Sequence, residues 1–80
     1  MKIALSKKAA KILEAIDKTT RARIVAGIQG IPQGDIKPLK GAAGTYRLRV
    51  GDWRILFSYP VEDAVLIEKI SPRGDVYKGV

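Results

Sequence analysis

Apolar residues recur at helical spacing in the first third of the chain. Residues 9–16 carry one such run and residues 22–28 carry another, and this spacing places each run along one side of a helix. Ser6 is the predicted N-cap of the first helix. Residues 17–20 interrupt the pattern, and either Thr19 or Thr20 can cap the second helix. Two short adjacent helices predict an antiparallel helical hairpin.

The segments on either side of this hairpin have other patterns. Residues 2–5 alternate weakly between polar and apolar, as a short edge strand would. After the second helix, glycine and proline recur and end helical structure. This stretch predicts an irregular connector, punctuated by Gly30, Pro32, Gly34 and Pro38.

From Gly44 onward the period changes from helical to two. Residues 45–50 alternate, Gly51-Asp52 forms a two-residue turn, and residues 53–59 return as a second strand. A further turn at 60–63 precedes a third, mostly apolar strand at 64–70. The sequence therefore predicts one α+β domain over residues 1–80. Its N-terminal helical hairpin packs on a small antiparallel sheet, in the order β-α-α-β-β-β.

The register of the first hairpin gathers arginines on one side of the sheet. If Gly51-Asp52 is the whole loop, Arg49 lies directly opposite Arg54, and Arg47 lies on the same face. We call this side, away from the predicted helices, the arginine face. Directly opposed like charges cost about 0.2–1 kcal/mol, and an anionic ligand would relieve the repulsion. The alternative is an ordinary solvated face on which nearby carboxylates pair with the arginines. The opposed pair favours a ligand site.

A fourth basic residue joins this face if the second hairpin turns at Glu62-Asp63. Lys69 then lies opposite Leu56, and Ser71 lies opposite Arg54. The same register directs Glu68 toward the apolar face, which a bulge or an edge position would accommodate.

Composition narrows the function. Fifteen Lys and Arg against eight Asp and Glu give a net charge of +7. This excess suits a nucleic acid or an acidic protein segment as partner, but charge alone fits a solvated basic surface equally well. The chain has no cysteine and no histidine, so it lacks the commonest general base and the commonest metal ligands. No apolar run suits a signal peptide or a membrane span. A cytoplasmic protein without a metal or cofactor is expected.

Three segments together resemble the RelE/ParE superfamily, the toxins of bacterial type II toxin–antitoxin pairs. They are Leu39-Lys40-Gly41, the hairpin 46–57 and the C-terminal run 73–77. The resemblance spans essentially the whole chain. It implies a cytoplasmic toxin that forms a hetero-oligomer with a cognate antitoxin. RelE-like members are endoribonucleases that cut mRNA, often on the ribosome, whereas ParE-like members inhibit DNA gyrase without being enzymes.

The resemblance also implies a set of site residues closer to the ribonuclease branch. Matches to the family's basic and aromatic positions make five residues catalytic candidates, and two lysines are expected to contact RNA. The catalytic candidates are Arg47, Arg49, Arg54, Arg73 and Tyr77, and the RNA-binding candidates are Lys40 and Lys69.

One departure from RelE affects the mechanism, because RelE itself has lysines where Arg47 and Arg49 stand here. Arginine is almost never a neutral base, so these two residues are expected to hold phosphate through paired hydrogen bonds. Arg54 is expected to stabilise developing charge, and Arg73 to lie near the leaving group. Tyr77 is expected to stack on a base or exchange a proton. This set contains no evident general base. A gyrase inhibitor and a basic module that binds an acidic partner remain the alternatives.

Overall fold

The computed structural model describes residues 2–72, which form two helices and a five-stranded sheet. The elements are β1 (Lys2–Leu5), α1 (Lys7–Ala15), α2 (Lys18–Gln29), β2 (Asp35–Pro38), β3 (Thr45–Val50), β4 (Trp53–Ser58) and β5 (Ala64–Pro72). The strand order is β1-β5-β4-β3-β2. β1 runs parallel to β5, and the other neighbours are antiparallel. The predicted α+β class is confirmed, with β2 as an additional strand inside the expected connector.

The first helix begins where the sequence predicts. The Ser6 hydroxyl accepts a hydrogen bond from the Ala9 N–H at 3.1 Å, which satisfies one of the unpaired amides of the first turn. The same hydroxyl donates to the Glu68 carbonyl at 2.7 Å. Ser6 therefore caps α1 and also fixes its start against β5.

The second helix begins differently from the prediction, because Asp17 is its N-cap rather than Thr19 or Thr20. The Asp17 carboxylate accepts from the Thr20 N–H at 2.9 Å and from the Thr20 hydroxyl at 2.6 Å. These hydrogen bonds favour the charged form and hold the pKa of Asp17 below its usual value. A carboxylate can accept both donors at once, which explains why it displaces the threonines as the cap.

Arg21 joins the two helices. Its Nε donates to the Leu13 carbonyl at 2.6 Å, and one terminal nitrogen donates to the carbonyls of Glu14 and Ile16 at 3.3 and 3.1 Å. These carbonyls lie at the C-terminal end of α1, where backbone acceptors lack helical partners. A cation is also favoured there by the helix dipole. The first turn of α2 is thus held against the last turn of α1.

The hydrophobic core lies between the helical hairpin and one face of the sheet. Helix α1 packs on β5, and α2 packs on β3. The approach of α2 is close, since a Cβ added at Gly27 would lie 2.7 Å from Val50 Cγ2. The buried core residues are Ala9, Leu13, Ile24, Ile28, Ile31, Leu48, Ile55, Phe57, Val65, Ile67 and Ile70.

A bulge in β5 keeps apolar residues on one face of the sheet and basic residues on the other. Leu56 pairs with Lys69 and Arg54 with Ser71, as the sequence predicts, whereas Phe57 pairs with Ile67. Glu68 is the extra, unpaired residue between these pairs. Such a bulge shifts the alternation of side chains, so Glu68 does not displace an apolar residue from the buried face. The buried face stays apolar on both sides of the irregularity.

Candidate functional site

The β3–β4 hairpin has the predicted register. Val50 pairs with Trp53, Arg49 with Arg54, and Leu48 with Ile55. Gly51 has φ 59°, a left-handed conformation that glycine adopts at little cost. Leu48 and Ile55 belong to the core beneath the helices, so Arg49 and Arg54 lie on the opposite side of the sheet.

Arg49 and Arg54 both keep donors available for a ligand. Arg49 is exposed and donates from Nε to the Gly51 carbonyl at 3.4 Å. Arg54 is half-buried and donates to the Trp53 carbonyl at 3.5 Å. Both hydrogen bonds are at the long limit for such contacts. A guanidinium has five N–H donors, so within residues 2–72 this pair is well suited to bind an oxyanion.

Arg47 differs from the prediction of three open arginines. Its side chain is only 11% exposed, and one terminal nitrogen lies 3.5 Å from Asp35 Oδ1. The physical reason is β2, which pairs with the outer edge of β3 and brings an acidic residue beside the guanidinium. Arg47 therefore lies at the back of the arginine face, already paired with a carboxylate.

The sequence pattern did not predict two further residues of the arginine face. Asp35 pairs with Arg49, and Lys37 pairs with Arg47, so both lie on that face. Ile36 between them packs against the core. The signal was the polar–apolar–polar run 35–37, which is too short to identify a strand amid several glycines and prolines.

Lys69 joins this face beside Leu56, as predicted, and is half-buried. It also lines a cleft between α1 and the second half of β5, where α1 contributes two further lysines. The cleft is lined by Lys8, Lys11, Ile12, Lys69, Ile70 and Ser71. Positive charge thus continues from the arginine face toward α1.

Strand pairing does not assign Lys40 to the arginine face. Lys40 is exposed in the loop after β2, and strand pairing does not place it on either face. Arg73 and Tyr77 lie outside the described residues. Among residues 2–72, no group of three or more acidic side chains is placed to hold a metal ion. No helix in that range is long and apolar enough to span a bilayer.

Comparisons with known proteins agree with this architecture. Residues 3–77 match the family model described as the ParE toxin of the type II toxin–antitoxin system, parDE. Comparison with curated protein sequences gives no match.

Solved structures of toxin–antitoxin complexes share the fold. A chain of the RelB–RelE complex from Methanococcus jannaschii is 26% identical with a TM-score of 0.74, covering 92% of this chain and 94% of its own. A chain of the RelE–RelB complex from Pyrococcus horikoshii OT3 is 26% identical with a TM-score of 0.74, covering 92% of this chain and 96% of its own. A chain of the RelBE2 complex from Mycobacterium tuberculosis is 25% identical with a TM-score of 0.73, covering 90% of this chain and 96% of its own. The chain belongs to the ParE toxin family of type II toxin–antitoxin systems, within the RelE/ParE superfamily.

Proposed function

We propose that this toxin is a cytoplasmic endoribonuclease that cuts mRNA on the ribosome. The observation that carries the proposal is the directly opposed pair Arg49 and Arg54 on the sheet face away from the helices. Two guanidinium groups at adjacent strand positions can contact the same phosphate, because neighbouring strands lie about 5 Å apart. Folding alone gains nothing from placing these like charges together.

The chemistry follows from what metal-free RNA cleavage requires. The ribose 2′-oxygen attacks the adjacent phosphorus, a crowded dianionic phosphorane develops, and the bond to the 5′-oxygen breaks. Arg49 and Arg54 hold the phosphate and stabilise the charge that develops on it. Arg47 supports them from behind through Asp35, and Lys37, Lys40 and Lys69 contact the RNA backbone. By family resemblance, Arg73 and Tyr77 act near the leaving 5′-oxygen.

The second candidate function is inhibition of DNA gyrase without catalysis. The family model that matches residues 3–77 is that of the ParE toxin, and ParE-like members act on gyrase. The same basic face would then contact an acidic or nucleic-acid surface of the gyrase–DNA complex. The positive charge suits both functions, so the distinction depends on whether RNA is cut.

The proposed partner that restrains the toxin is a cognate antitoxin. Several similar structures are RelB–RelE complexes. Besides the basic arginine face, an apolar groove suits an amphipathic antitoxin segment. It lies between β1 and the helices, where Ile3 and Leu5 are 40% and 43% exposed and Leu5 and Leu13 border two adjoining depressions.

The backbone of β1 also favours a bound segment. The Lys2 N–H donates to the Asp63 carbonyl just before β5, and the Ser6 N–H donates to the Ile67 carbonyl in β5. The backbone groups of Ile3 and Leu5 therefore point toward the open edge. An extended antitoxin segment can pair with this edge while its apolar side chains enter the groove. Its acidic residues would meet the positive surface of the toxin and make binding sensitive to salt.

The experiment compares two assays with the same purified protein. One follows ribosome-bound mRNA and maps the product ends, and the other follows supercoiling by gyrase. The proposal predicts cleavage with a 2′,3′-cyclic phosphate and a 5′-hydroxyl, and unaffected supercoiling. A metal-free arm uses a short RNA, because ribosomes need magnesium. Loss of supercoiling without RNA cleavage would transfer the protein to the gyrase-inhibitor class.

A further inference from the structure

We propose that Asp35 is the general base that removes the proton from the ribose 2′-hydroxyl. This inference rests on the proposed ribonuclease function and fills the role for which the sequence offers no candidate. Aspartate can act as a general base when it lies within hydrogen-bond reach of the proton that it removes.

The position of Asp35 is the first argument. It pairs with Arg49 across β2 and β3, so its side chain shares the arginine face. A phosphate between Arg49 and Arg54 lies above β3 and β4. Asp35 therefore lies about one and a half strand spacings, roughly 7 Å, from the midpoint of that pair. The 2′-hydroxyl next to the scissile phosphate can occupy the space between the phosphate and the Asp35 carboxylate.

The surroundings of the carboxylate are the second argument. Its Oδ1 lies 3.5 Å from a terminal nitrogen of Arg47, whose side chain is 11% exposed, whereas the side chain of Asp35 is 48% exposed. The buried guanidinium holds the carboxylate from behind. The exposed part remains accessible to RNA from the solvent side.

The other carboxylates among residues 2–72 are placed elsewhere. They belong to the helical hairpin, to the turns between strands or to the bulge of β5. In the described part of the chain, Asp35 is thus the carboxylate that strand pairing assigns to the arginine face. The others are Glu14, Asp17, Asp52, Glu62, Asp63 and Glu68.

The step balances without a metal or cofactor. Asp35 takes the 2′-hydroxyl proton while the 2′-oxygen forms a bond to phosphorus. The bond from phosphorus to the 5′-oxygen then breaks, and the 5′-oxygen takes a proton from water. The products are a 2′,3′-cyclic phosphate and a 5′-hydroxyl, and Asp35 returns its proton to solvent.

The test measures single-turnover cleavage of ribosome-bound mRNA between pH 6 and 8. Asp35→Asn is expected to slow cleavage about 10²-fold or more without weakening RNA binding. The unaltered protein supplies its own base at the site, so its rate should depend on pH less steeply than that of the variant. In the variant hydroxide replaces the base, and the rate should rise about tenfold per pH unit. Glu62→Gln, which removes one negative charge from an exposed turn, should leave the rate unchanged.

A second variant separates chemistry from structure. Asp35→Ala should regain part of its activity in added formate, because a small carboxylate can enter the vacated space. A purely structural role would lower the rate by the same factor at every pH and give no rescue. A pH-independent loss without rescue would overturn the inference. Normal turnover and tighter RNA binding by Asp35→Asn would also overturn it, and would show that Asp35 competes with RNA for the phosphate site. Absence of cleavage by the unaltered protein would instead overturn the proposed function, and this inference with it.

Discussion

Arg49 and Arg54 lie directly opposite each other across the β3–β4 hairpin, on the sheet face away from the helices. Because like charges in this position repel, Arg54→Gln should raise the free energy of unfolding by about 0.2–1 kcal/mol. Glutamine keeps most of the aliphatic stem and removes only the charge. Urea unfolding at low salt measures the change, and 0.5 M salt should reduce it. A variant less stable than the unaltered protein would show that the pair is not strained.

Arg21 is predicted to stabilise the helical hairpin. Arg21→Ala removes the hydrogen bonds to the carbonyls of Leu13, Glu14 and Ile16. It should lower the free energy of unfolding by about 1.5–3 kcal/mol, the usual range for hydrogen bonds to a charged group. Lys18→Ala removes a positive charge from the exposed start of the same helix and should change stability by less than about 0.5 kcal/mol. Equal effects of the two variants in urea unfolding would refute this role.

Gly27 is predicted to be required for the close packing of α2 on β3. Gly27→Ala gains helix propensity of about 1 kcal/mol, but its Cβ would lie 2.7 Å from Val50 Cγ2. Overpacking of this kind costs about 1–3 kcal/mol, so the net effect should be destabilising. Shortening the opposing side chain with Val50→Ala removes the clash. The double variant should therefore be more stable than the sum of the two single-variant losses in free energy of unfolding predicts. Strict additivity of these losses in thermal unfolding would contradict the packing argument.

Asp17 is predicted to contribute to the acid sensitivity of the fold. Its pKa is lowered in the folded protein by the hydrogen bonds from Thr20. The contribution is therefore complete above the unfolded value near 3.8 and is lost as pH falls through the lower folded value. Asp17→Asn, which still caps a helix, should lose less stability than the unaltered protein between pH 7 and pH 3. A drop of the same size in both would show that Asp17 does not contribute.

The groove beside β1 is predicted to bind the antitoxin. Leu5→Glu places a charge in the apolar groove and should weaken the affinity for the neighbouring gene's product at least tenfold, while RNA cleavage is unaffected. Val61 is 65% exposed in the β4–β5 turn, and Val61→Glu makes the same chemical change away from the groove. Calorimetric titration compares the variants. If Leu5→Glu and Val61→Glu bind the antitoxin equally well, the groove is not its binding site.

Much of the fold follows from local patterns in the sequence. The cap at Ser6 and the arginine pairing both depend on neighbours within a few residues, and both predictions are confirmed. The bulge at Glu68 was foreseen as a way to keep one face apolar. Asp17 replaced the threonines as a cap because hydrogen bonding, rather than the interruption of periodicity, decides where the helix begins.

The sequence did not predict the part of the site that lies on β2. β2 is only four residues long and depends on pairing with β3, whose partner residues lie 8 to 14 positions further along the chain. Periodicity over so short a segment carries little information. Without β2 the sequence could not reveal that Asp35 pairs with Arg47 and Arg49. The acidic member of the arginine face therefore emerged only from the tertiary structure.

The most direct test of the central claim is the mapping of mRNA ends after incubation of programmed ribosomes with the unaltered toxin, with Arg54→Gln and with Lys18→Ala. The account predicts cleavage by the unaltered toxin and by Lys18→Ala, with 2′,3′-cyclic phosphate ends. Loss of one preorganised donor in Arg54→Gln should slow the reaction by about 10²–10³-fold. Full activity of Arg54→Gln, or products that end in a 3′-hydroxyl, would contradict the assignment of the arginine face as the site of RNA cleavage.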